Sequence, residues 1–213
     1  MNPWLAWFLN PYGLLPNIYN MKTLLVVLFL TLCNLLNAQY TDTHFGIKAG
    51  LNVASLDVKD GVDFDSKAGF NVGALAHVHL SPHFAVQPEV YYSEQGGKDG
   101  NDKWKINYVN VPVLLQYMEG NGFRIETGPQ LGLKTASKIK SGDLEVENHD
   151  VNTFDFSWAV GASYITAANV GLDARYNFGI TNVNDAPSPE VRNRVFQVGL
   201  FYQFSSSMQG RKK

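Results

Sequence analysis

Two neighbouring segments of the chain, residues 154–164 and 170–178, alternate between apolar and polar side chains with a period of two. The apolar positions of the first segment are Phe154, Phe156, Trp158, Val160, Ala162 and Tyr164. Such a period, kept over segments of this length, predicts a β-strand whose two faces meet different surroundings. Because residues 166–169, which join the segments, are all small or polar, the two together predict a β-hairpin.

The same alternation divides the rest of the chain into further strands. In the strand at about residues 106–117, Ile106 interrupts the pattern. The eight predicted strands cover about residues 45–54, 69–80, 84–93, 106–117, 123–135, 154–164, 170–178 and 195–204. Each is close to the roughly 10 residues that a tilted strand needs to cross a membrane. Pro88, Pro112 and Pro129 fall inside strands, where a missing N–H costs a ladder bond. A β-bulge is one way to accommodate each of them, and the exact register near them, especially before Tyr108, stays open.

The connections between the predicted strands alternate in length. Those after the second, fourth and sixth strands are short, at residues 81–83, 118–122 and 166–169. Those after the first, third, fifth and seventh strands are long and polar, at about residues 56–68, 94–105, 136–153 and 181–194. Short periplasmic turns and long extracellular loops are typical of outer-membrane barrels. The sequence therefore predicts an all-β fold, an eight-stranded antiparallel up-and-down transmembrane β-barrel.

The two faces of the predicted strands differ as a membrane barrel requires. One face is apolar and rich in aromatic residues, and the other carries ions and glycine. We expect the apolar face to meet lipid and the polar face to line the lumen, with aromatic residues at both water–lipid interfaces. The expected interfacial residues are Phe84, Tyr117, Phe123, Tyr164 and Phe204 on the periplasmic side and Tyr92, Phe154 and Phe178 on the outer side.

Composition argues against two other classes of protein. With 45% hydrophobic and 17% charged residues and a mean hydropathy of −0.13, the chain is too polar for a bundle of membrane helices, each of which needs about 20 apolar residues. Its net charge of −2 gives no electrostatic signature of nucleic-acid binding. The expected partners are outer-membrane lipid and an envelope or extracellular protein, and not nucleic acid.

The N-terminal region has the pattern of a secretory signal. Residues 1–20 carry no charge and are interpreted as a mis-assigned start, residues 21–38 as the signal peptide and residues 39–213 as the outer-membrane β-barrel domain. Lys22 precedes an apolar run that is too short to span a bilayer, which disfavours a retained anchor helix. Cys33, the only cysteine, lies in that run, so the mature chain would have no thiol.

We predict cleavage between Ala38 and Gln39, where the charged, apolar and small-residue regions of the signal end. Mass spectrometry of the protein purified from membranes should find Gln39 as the first residue. An N-terminus upstream of Met21 would contradict this assignment.

Two segments resemble a known family. Residues 172–182 (LDARYNFGITN) are similar to the penultimate strand of PorT-like outer-membrane β-barrels, small proteins of Gram-negative gliding bacteria and their relatives. Residues 108–117 (YVNVPVLLQY) resemble another strand of that family, with Asn110 where an acidic residue is common. The resemblance implies a place in the outer membrane of a Gram-negative cell envelope. It implies no activity, because functions in this family are diverse.

The predicted inward face carries equal numbers of cations and carboxylates. They are Lys48, Arg124, Lys134 and Arg175, and Glu89, Glu126, Asp155 and Asp173. About eight strands leave a lumen only wide enough to be filled by side chains, and unpaired charges there are costly. We therefore predict a hydrogen-bonded charge network in which Arg175 pairs with Asp155 or Asp173, and less certainly with Glu126. A ligand site or a selective pore in the lumen is the alternative interpretation.

Signals for a metal site and for catalysis are weak. His77 and His79 share one face of a strand with Glu89 expected nearby, but zinc sites usually have three or four ligands. The aspartates of the first long loop lack calcium-loop spacing. Nucleophile-elbow and phosphate-loop motifs are absent, and His149–Asp150 is the only adjacent pair of a catalytic type. We expect no metal, no cofactor and no enzymatic activity.

Three function classes remain, in order of preference. The first is a small outer-membrane barrel with a structural or partner-binding role, non-catalytic and non-conducting. Its extracellular loops, above all 136–153 and 181–194, or its periplasmic turns contact the partner. The second is a periplasmic lipocalin-like barrel that binds a ligand inside, which would place the apolar face inward. The third is an outer-membrane enzyme.

Overall fold

The computed structural model describes residues 42–59, 65–99, 102–141, 144–147, 151–183 and 190–204. The interpreted start and signal peptide, residues 1–38, lie outside this part of the chain. The strands are β1 (Thr43–Val58), β2 (Asp65–His79), β3 (Phe84–Asp99), β4 (Asp102–Met118), β5 (Phe123–Ser141), β6 (Leu144–Glu147), β7 (Phe154–Ile165), β8 (Val170–Gly179) and β9 (Val191–Gln203). Within the described ranges, no helix is long and apolar enough to cross a membrane.

Eight of these strands close into a barrel by antiparallel pairing. Around the wall the order is β1, β2, β3, β4, β5, β7, β8 and β9, and β9 pairs with β1 to close the sheet. β6 is short and pairs with the outer end of β5 (Lys138↔Glu147 to Ser141↔Leu144). The predicted eight-stranded antiparallel barrel is therefore confirmed, with β6 as an addition above its wall.

The side chains of each wall strand alternate between the lumen and the outside. On β8 and β9, polar positions such as Arg175 and Gln197 are 1% exposed, whereas Leu172 and Leu200 are 57% and 56% exposed. The apolar residues thus cover the outer surface of the barrel and the polar residues fill it. This is the reverse of a lipocalin-like barrel, whose interior is apolar.

Several strands are longer than the sequence predicts, because they continue where the outward apolar side chains end. β3 and β4 stay paired as far as Asp99↔Asp102, so the predicted loop 94–105 is mostly strand. β5 runs on to Ser141, and β6 occupies part of the predicted loop 136–153. At these outer ends the apolar residues, such as Trp104 on β4 and Ile139 on β5, take the inward parity instead of the outward one. Outward apolar periodicity therefore marks only the lipid-embedded length of a strand.

The prolines do not shift the register. Pro88, Pro112 and Pro129 pair with Val113, Gln130 and Trp158, and the pairs on either side of each proline keep one constant register. The irregularity on β4 and β5 lies elsewhere: Asn107 pairs with Ala136 but Tyr108 pairs with Lys134, which leaves one extra residue on β5. The prolines are thus accommodated without bulges, and the irregularity lies just before Tyr108, beside the break in alternation at Ile106.

Candidate functional site

Arg175 lies at the centre of a buried ion cluster that crosses the lumen. Its guanidinium donates to both carboxylate oxygens of Glu89, at 2.9 and 3.0 Å, and twice to Oε1 of Glu126, at 2.9 and 2.8 Å. The three side chains are at most 1% exposed. Two parallel hydrogen bonds to Glu89 form the bidentate arrangement that gives arginine–carboxylate pairs their strength and fixed geometry.

The carboxylates of this cluster have further donors. Lys48 Nζ lies 3.2 Å from Glu89 Oε2 and 3.4 Å from Asp173 Oδ2. Gln87 Nε2 donates to Glu89 Oε1 at 2.8 Å, and Gln116 Nε2 donates to Glu126 Oε2 at 2.7 Å. Both oxygens of Glu89 and Glu126 are therefore occupied by protein donors. Glu89 and Glu126 therefore offer no free carboxylate oxygen to a ligand, whereas Asp173 Oδ1 is buried and accepts no hydrogen bond from the described residues.

One of the three predicted partners of Arg175 is found. Arg175 pairs with Glu126 on β5, as the third choice of the sequence analysis had it, but instead of Asp155 or Asp173 it spans the lumen to Glu89 on β3. Arg175 lies opposite Gly161 on β7, and Asp155 lies six residues farther along that strand, about 20 Å away. Asp155 instead accepts hydrogen bonds from Thr181 Oγ1, at 3.0 Å, and Asn193 Nδ2, at 3.5 Å.

The eight predicted ions therefore separate into groups along the barrel axis. Arg124 lies near the periplasmic end, where it contacts His77 Nδ1 at 3.5 Å and Gln203 Oε1 at 3.4 Å. Lys134, on β5, donates to the backbone carbonyl of Val151 instead of to a carboxylate. Parity places all of these residues on one face but does not give their heights, so sequence reasoning could not separate the groups.

Neutral amides and hydroxyls fill the lumen between these groups. Tyr91 Oη donates to Gln130 Oε1 at 2.5 Å, and Gln130 Nε2 donates to Ser157 Oγ at 3.0 Å. On the opposite wall Asn52 Nδ2 donates to Ser93 Oγ at 2.8 Å. This hydrogen-bonded set carries no charge, so the charge pattern of the sequence does not reveal it. Its members nevertheless share the inward parity of the ions.

An apolar plug lies at the outer mouth of the polar lumen. It consists of the buried side chains of Leu56, Ile106, Tyr108, Val151 and Val183. Two segments cross the mouth to form it: Asn152 N donates to Val183 O at 2.8 Å, and Val183 N donates to Val191 O at 2.7 Å. Ile106 interrupts the predicted alternation because it faces this plug. Conversely, Val151 and Val183 stand in stretches whose polar composition predicts loops.

Histidines gather at the periplasmic end, but not with the predicted partner. His79 and His44 form a group with Asp42 in which one ligand atom from each lies within 4.8 Å of the others. His77, by contrast, contacts Gln87 and the ring of His79, and Glu89 belongs to the central cluster. His149 and Asp150, the adjacent pair noted for catalysis, lie outside the described residues.

Aromatic side chains mark both ends of the lipid-facing wall. At the end with short turns, Phe84 and Tyr117 pair across strands with ring centroids 5.5 Å apart, and Phe123 pairs with Tyr164. At the other end, Trp158 and Phe178 are directly opposite each other. This distribution matches the aromatic belts of membrane barrels.

The comparisons with known proteins agree with this architecture. Residues 37–185 match the model of the family described as outer membrane protein beta-barrel domain. The chain belongs to this family. As a member, it is an outer-membrane protein whose apolar outer wall meets lipid. No curated protein sequence matches the chain significantly.

Two solved structures have a similar fold. Neisserial surface protein A is 20% identical, with a TM-score of 0.57, and the match covers 75% of this chain and 97% of that protein. The attachment invasion locus protein Ail of Yersinia pestis is 14% identical, with a TM-score of 0.51, over 76% of this chain and 99% of Ail. At these identities the likeness extends to the fold alone.

Proposed function

We propose that this protein is a non-catalytic, non-conducting outer-membrane barrel that presents a sheet outside the membrane to bind an envelope or extracellular protein. The sheet consists of the outer ends of β3, β4 and β5 together with β6. One observation carries the proposal: the face of this outer sheet turned toward the barrel axis is apolar, and its edge on β6 is exposed. Trp104 lies opposite Ile139, and Ile139 lies opposite Val146.

The exposed end of this apolar row is suited to protein contact. Val146 is 63% exposed and Leu144, on the same face of β6, is 73% exposed. They lie on β6, the last strand in the order of the sheet. Apolar side chains grouped on a rigid surface indicate a protein contact, and a terminal strand allows a partner to add its own strand beside it.

The lumen is less suited to a functional role. The central carboxylates of Glu89 and Glu126 are saturated by protein donors, and the apolar plug covers the outer mouth. An aqueous channel requires a larger barrel than eight strands form. These features support a closed barrel that acts as a scaffold.

Two further parts of the proposal rest on the sequence. The segments 108–117 and 172–182 support a PorT-like member of the family, and the N-terminal pattern supports a signal peptide at residues 21–38. Ail is named for attachment and invasion. Because this chain shares its fold, attachment to a partner at the cell surface is a function worth testing here.

The test replaces the two exposed apolar residues of β6. Leu144→Asp with Val146→Asp should leave a folded barrel, recognised by its heat-dependent gel shift, and should abolish partner cross-linking in the native membrane. Burying a leucine or valine side chain contributes about 1.5–3 kcal/mol, so the loss of one such contact should weaken binding by roughly 10- to 150-fold. The matched control, Leu144→Val with Val146→Leu, keeps the surface apolar and should cross-link like the parent.

A deletion provides the stronger form of the test. Shortening loops 136–153 or 181–194 as a whole would remove parts of β5, β9 and the plug. The deletion is therefore confined to residues 139–146, and a short linker joins the paired residues Lys138 and Glu147. The folded deletion variant should lose the cellular phenotype. The proposal is wrong if it keeps the phenotype while substitution of Glu89 or Arg124 abolishes it in a folded barrel.

A further inference from the structure

Three residues with metal-binding side chains meet where the first strand begins and the second strand ends. His44 is the second residue of β1, and His79 is the last residue of β2. The antiparallel pair His44↔His77 places these ends side by side, and His79 N donates to Asp42 O at 3.2 Å. The rings of His44 and His79 meet edge to face, with centroids 5.7 Å apart. We name Asp42, His44 and His79 the histidine–aspartate cluster, and it lies at the periplasmic mouth of the lumen.

The ligand atoms of this cluster have nearly the spacing that a metal ion requires. His44 Nε2 lies 3.0 Å from Asp42 Oδ2, and one ligand atom from each of the three residues lies within 4.8 Å of the other two. Zinc holds nitrogen and oxygen ligands at about 2.0–2.2 Å in tetrahedral geometry, which puts ligand atoms about 3.3–3.6 Å apart. Because Asp42 is exposed and both histidines are partly exposed, small side-chain rotations bring the three atoms to that spacing.

The backbone prepares His79 as a ligand. Its Nδ1 lies 3.1 Å from Asp42 O, and because a carbonyl oxygen only accepts hydrogen bonds, Nδ1 carries the proton and donates it. The lone pair of the neutral ring is then on Nε2, the nitrogen left for a metal ion. Metal-binding histidines almost always donate their other ring N–H to a carbonyl, a carboxylate or water in this way. At His44 the metal ion takes the place of the proton between Nε2 and Asp42 Oδ2.

His77 and Arg124 lie next to the cluster inside the lumen. The ring of His77 packs edge to face on His79, with centroids 4.6 Å apart. Its Nδ1 contacts Gln87 Oε1 at 3.3 Å and Arg124 Nη1 at 3.5 Å. The guanidinium of Arg124 repels a second cation at the mouth, and the carboxylate of Asp42 offsets this repulsion. His77 therefore supports the ring of His79 from behind, as a positioning neighbour and not as a ligand.

We propose that the histidine–aspartate cluster binds a zinc-like divalent transition-metal ion at the periplasmic mouth of the barrel. Two imidazole nitrogens and one carboxylate oxygen form the ligand set of zinc sites that keep a fourth position open to water. Hard cations such as Ca²⁺ and Mg²⁺ take oxygen ligands, so the nitrogens select against them. The sequence expectation of no metal concerned His77, His79 and Glu89, whereas the structure assembles a different set. The bound ion ties the start of β1 to the end of β2, at the end of the barrel opposite the proposed protein-binding sheet.

The test titrates Zn²⁺ into the mature barrel, purified without a histidine tag in neutral detergent, against a chromogenic chelator of known affinity. One Zn²⁺ should bind per barrel, and a large excess of Ca²⁺ or Mg²⁺ should not displace it. Loss of an outer partner of a ligand already costs about 10–100-fold in metal affinity, so His44→Gln or His79→Gln should cost on the order of 100-fold or more. Asp42→Asn keeps a weaker oxygen ligand and should cost about 10-fold. Saturating Zn²⁺ should raise the urea midpoint of the parent and not that of the two histidine variants, because an ion that binds only the folded state stabilises it.

The matched control is His83→Gln, which removes a histidine from the turn between β2 and β3. This ring stacks on Tyr117, and its Nδ1 contacts Met118 O at 3.3 Å. The variant should bind Zn²⁺ with the affinity of the parent, and every variant is first checked for the heat-dependent gel shift of a folded barrel. Equal losses in His83→Gln and His44→Gln would overturn the proposal, as would a parent that binds Zn²⁺ no more tightly than Ca²⁺ or than His44→Gln does. So would a larger loss in His77→Gln than in His44→Gln, because the ion would then lie deeper in the lumen.

Discussion

Replacing Arg175 with alanine is expected to destabilise the barrel by about 3–5 kcal/mol, because it leaves Glu89 and Glu126 without their main cation in a buried site. Both carboxylates are at most 1% exposed and each receives two hydrogen bonds from this guanidinium. Lys48 remains within 3.2 Å of Glu89, but it is shared with Asp173. Urea unfolding in phospholipid vesicles, followed by tryptophan fluorescence, measures the loss.

Two controls separate the cluster from other effects of the substitution. Arg192→Ala removes a half-exposed arginine paired with Glu190, and should change the free energy of unfolding by less than about 1 kcal/mol. Adding Glu89→Gln and Glu126→Gln to Arg175→Ala should recover much of the lost stability, since neutral amides carry no stranded charge. If Arg175→Ala alone unfolds at the same urea concentration as the parent, the cluster does not stabilise the barrel.

Alternation predicts the wall of this barrel well because the environment reverses at every residue. Leu200 and Gln197 belong to one strand, yet one is half exposed and the other buried, and this contrast is already visible as parity in the sequence. Closure and antiparallel order followed from the count of strands and from the alternation of short and long connections. The family match and the fold confirm both.

Parity contains no information on what lies across a narrow lumen. Arg175 reaches Glu89 on β3, a strand that is not its neighbour in the wall, so adjacency could not identify this pair. The plug was missed for a related reason. Val151 and Val183 are isolated apolar residues in polar stretches, and only the folded structure shows that they pack together in a buried cluster. The outer sheet was missed because its apolar residues take the parity opposite to that of the lipid-facing wall, so they do not continue the outward alternation of the wall strands.

Pairing shows how the two faces of the outer sheet are composed. Trp104, Ile139 and Val146 form one apolar row, and the other face is charged, with Lys138 opposite Glu147. The apolar row supports the proposed protein contact. A barrel that orients such a sheet needs rigidity more than a reactive site, which agrees with the buried ion cluster around Arg175.

The final prediction compares two exposed leucines at different heights. Leu200, 56% exposed, is the middle one of five outward apolar residues, Phe196 to Phe204, that lie on β9 and directly after its end. Leu144, 73% exposed, lies on β6 above the wall. Leu200→Arg should cost about 2–4 kcal/mol in a bilayer, because a charge near the midplane of the lipid is poorly solvated. Leu144→Arg should change stability by no more than about 0.5 kcal/mol, as surface substitutions in water do.

Urea unfolding of both variants in the same vesicles measures this difference directly. Exposure alone would rank Leu144 as the more accessible position, and in a water-soluble barrel arginine would be tolerated at both. A large cost confined to Leu200→Arg therefore reports the solvent around each residue and not the packing of the protein. If Leu200→Arg unfolds like the parent, the apolar wall does not face hydrocarbon at this height.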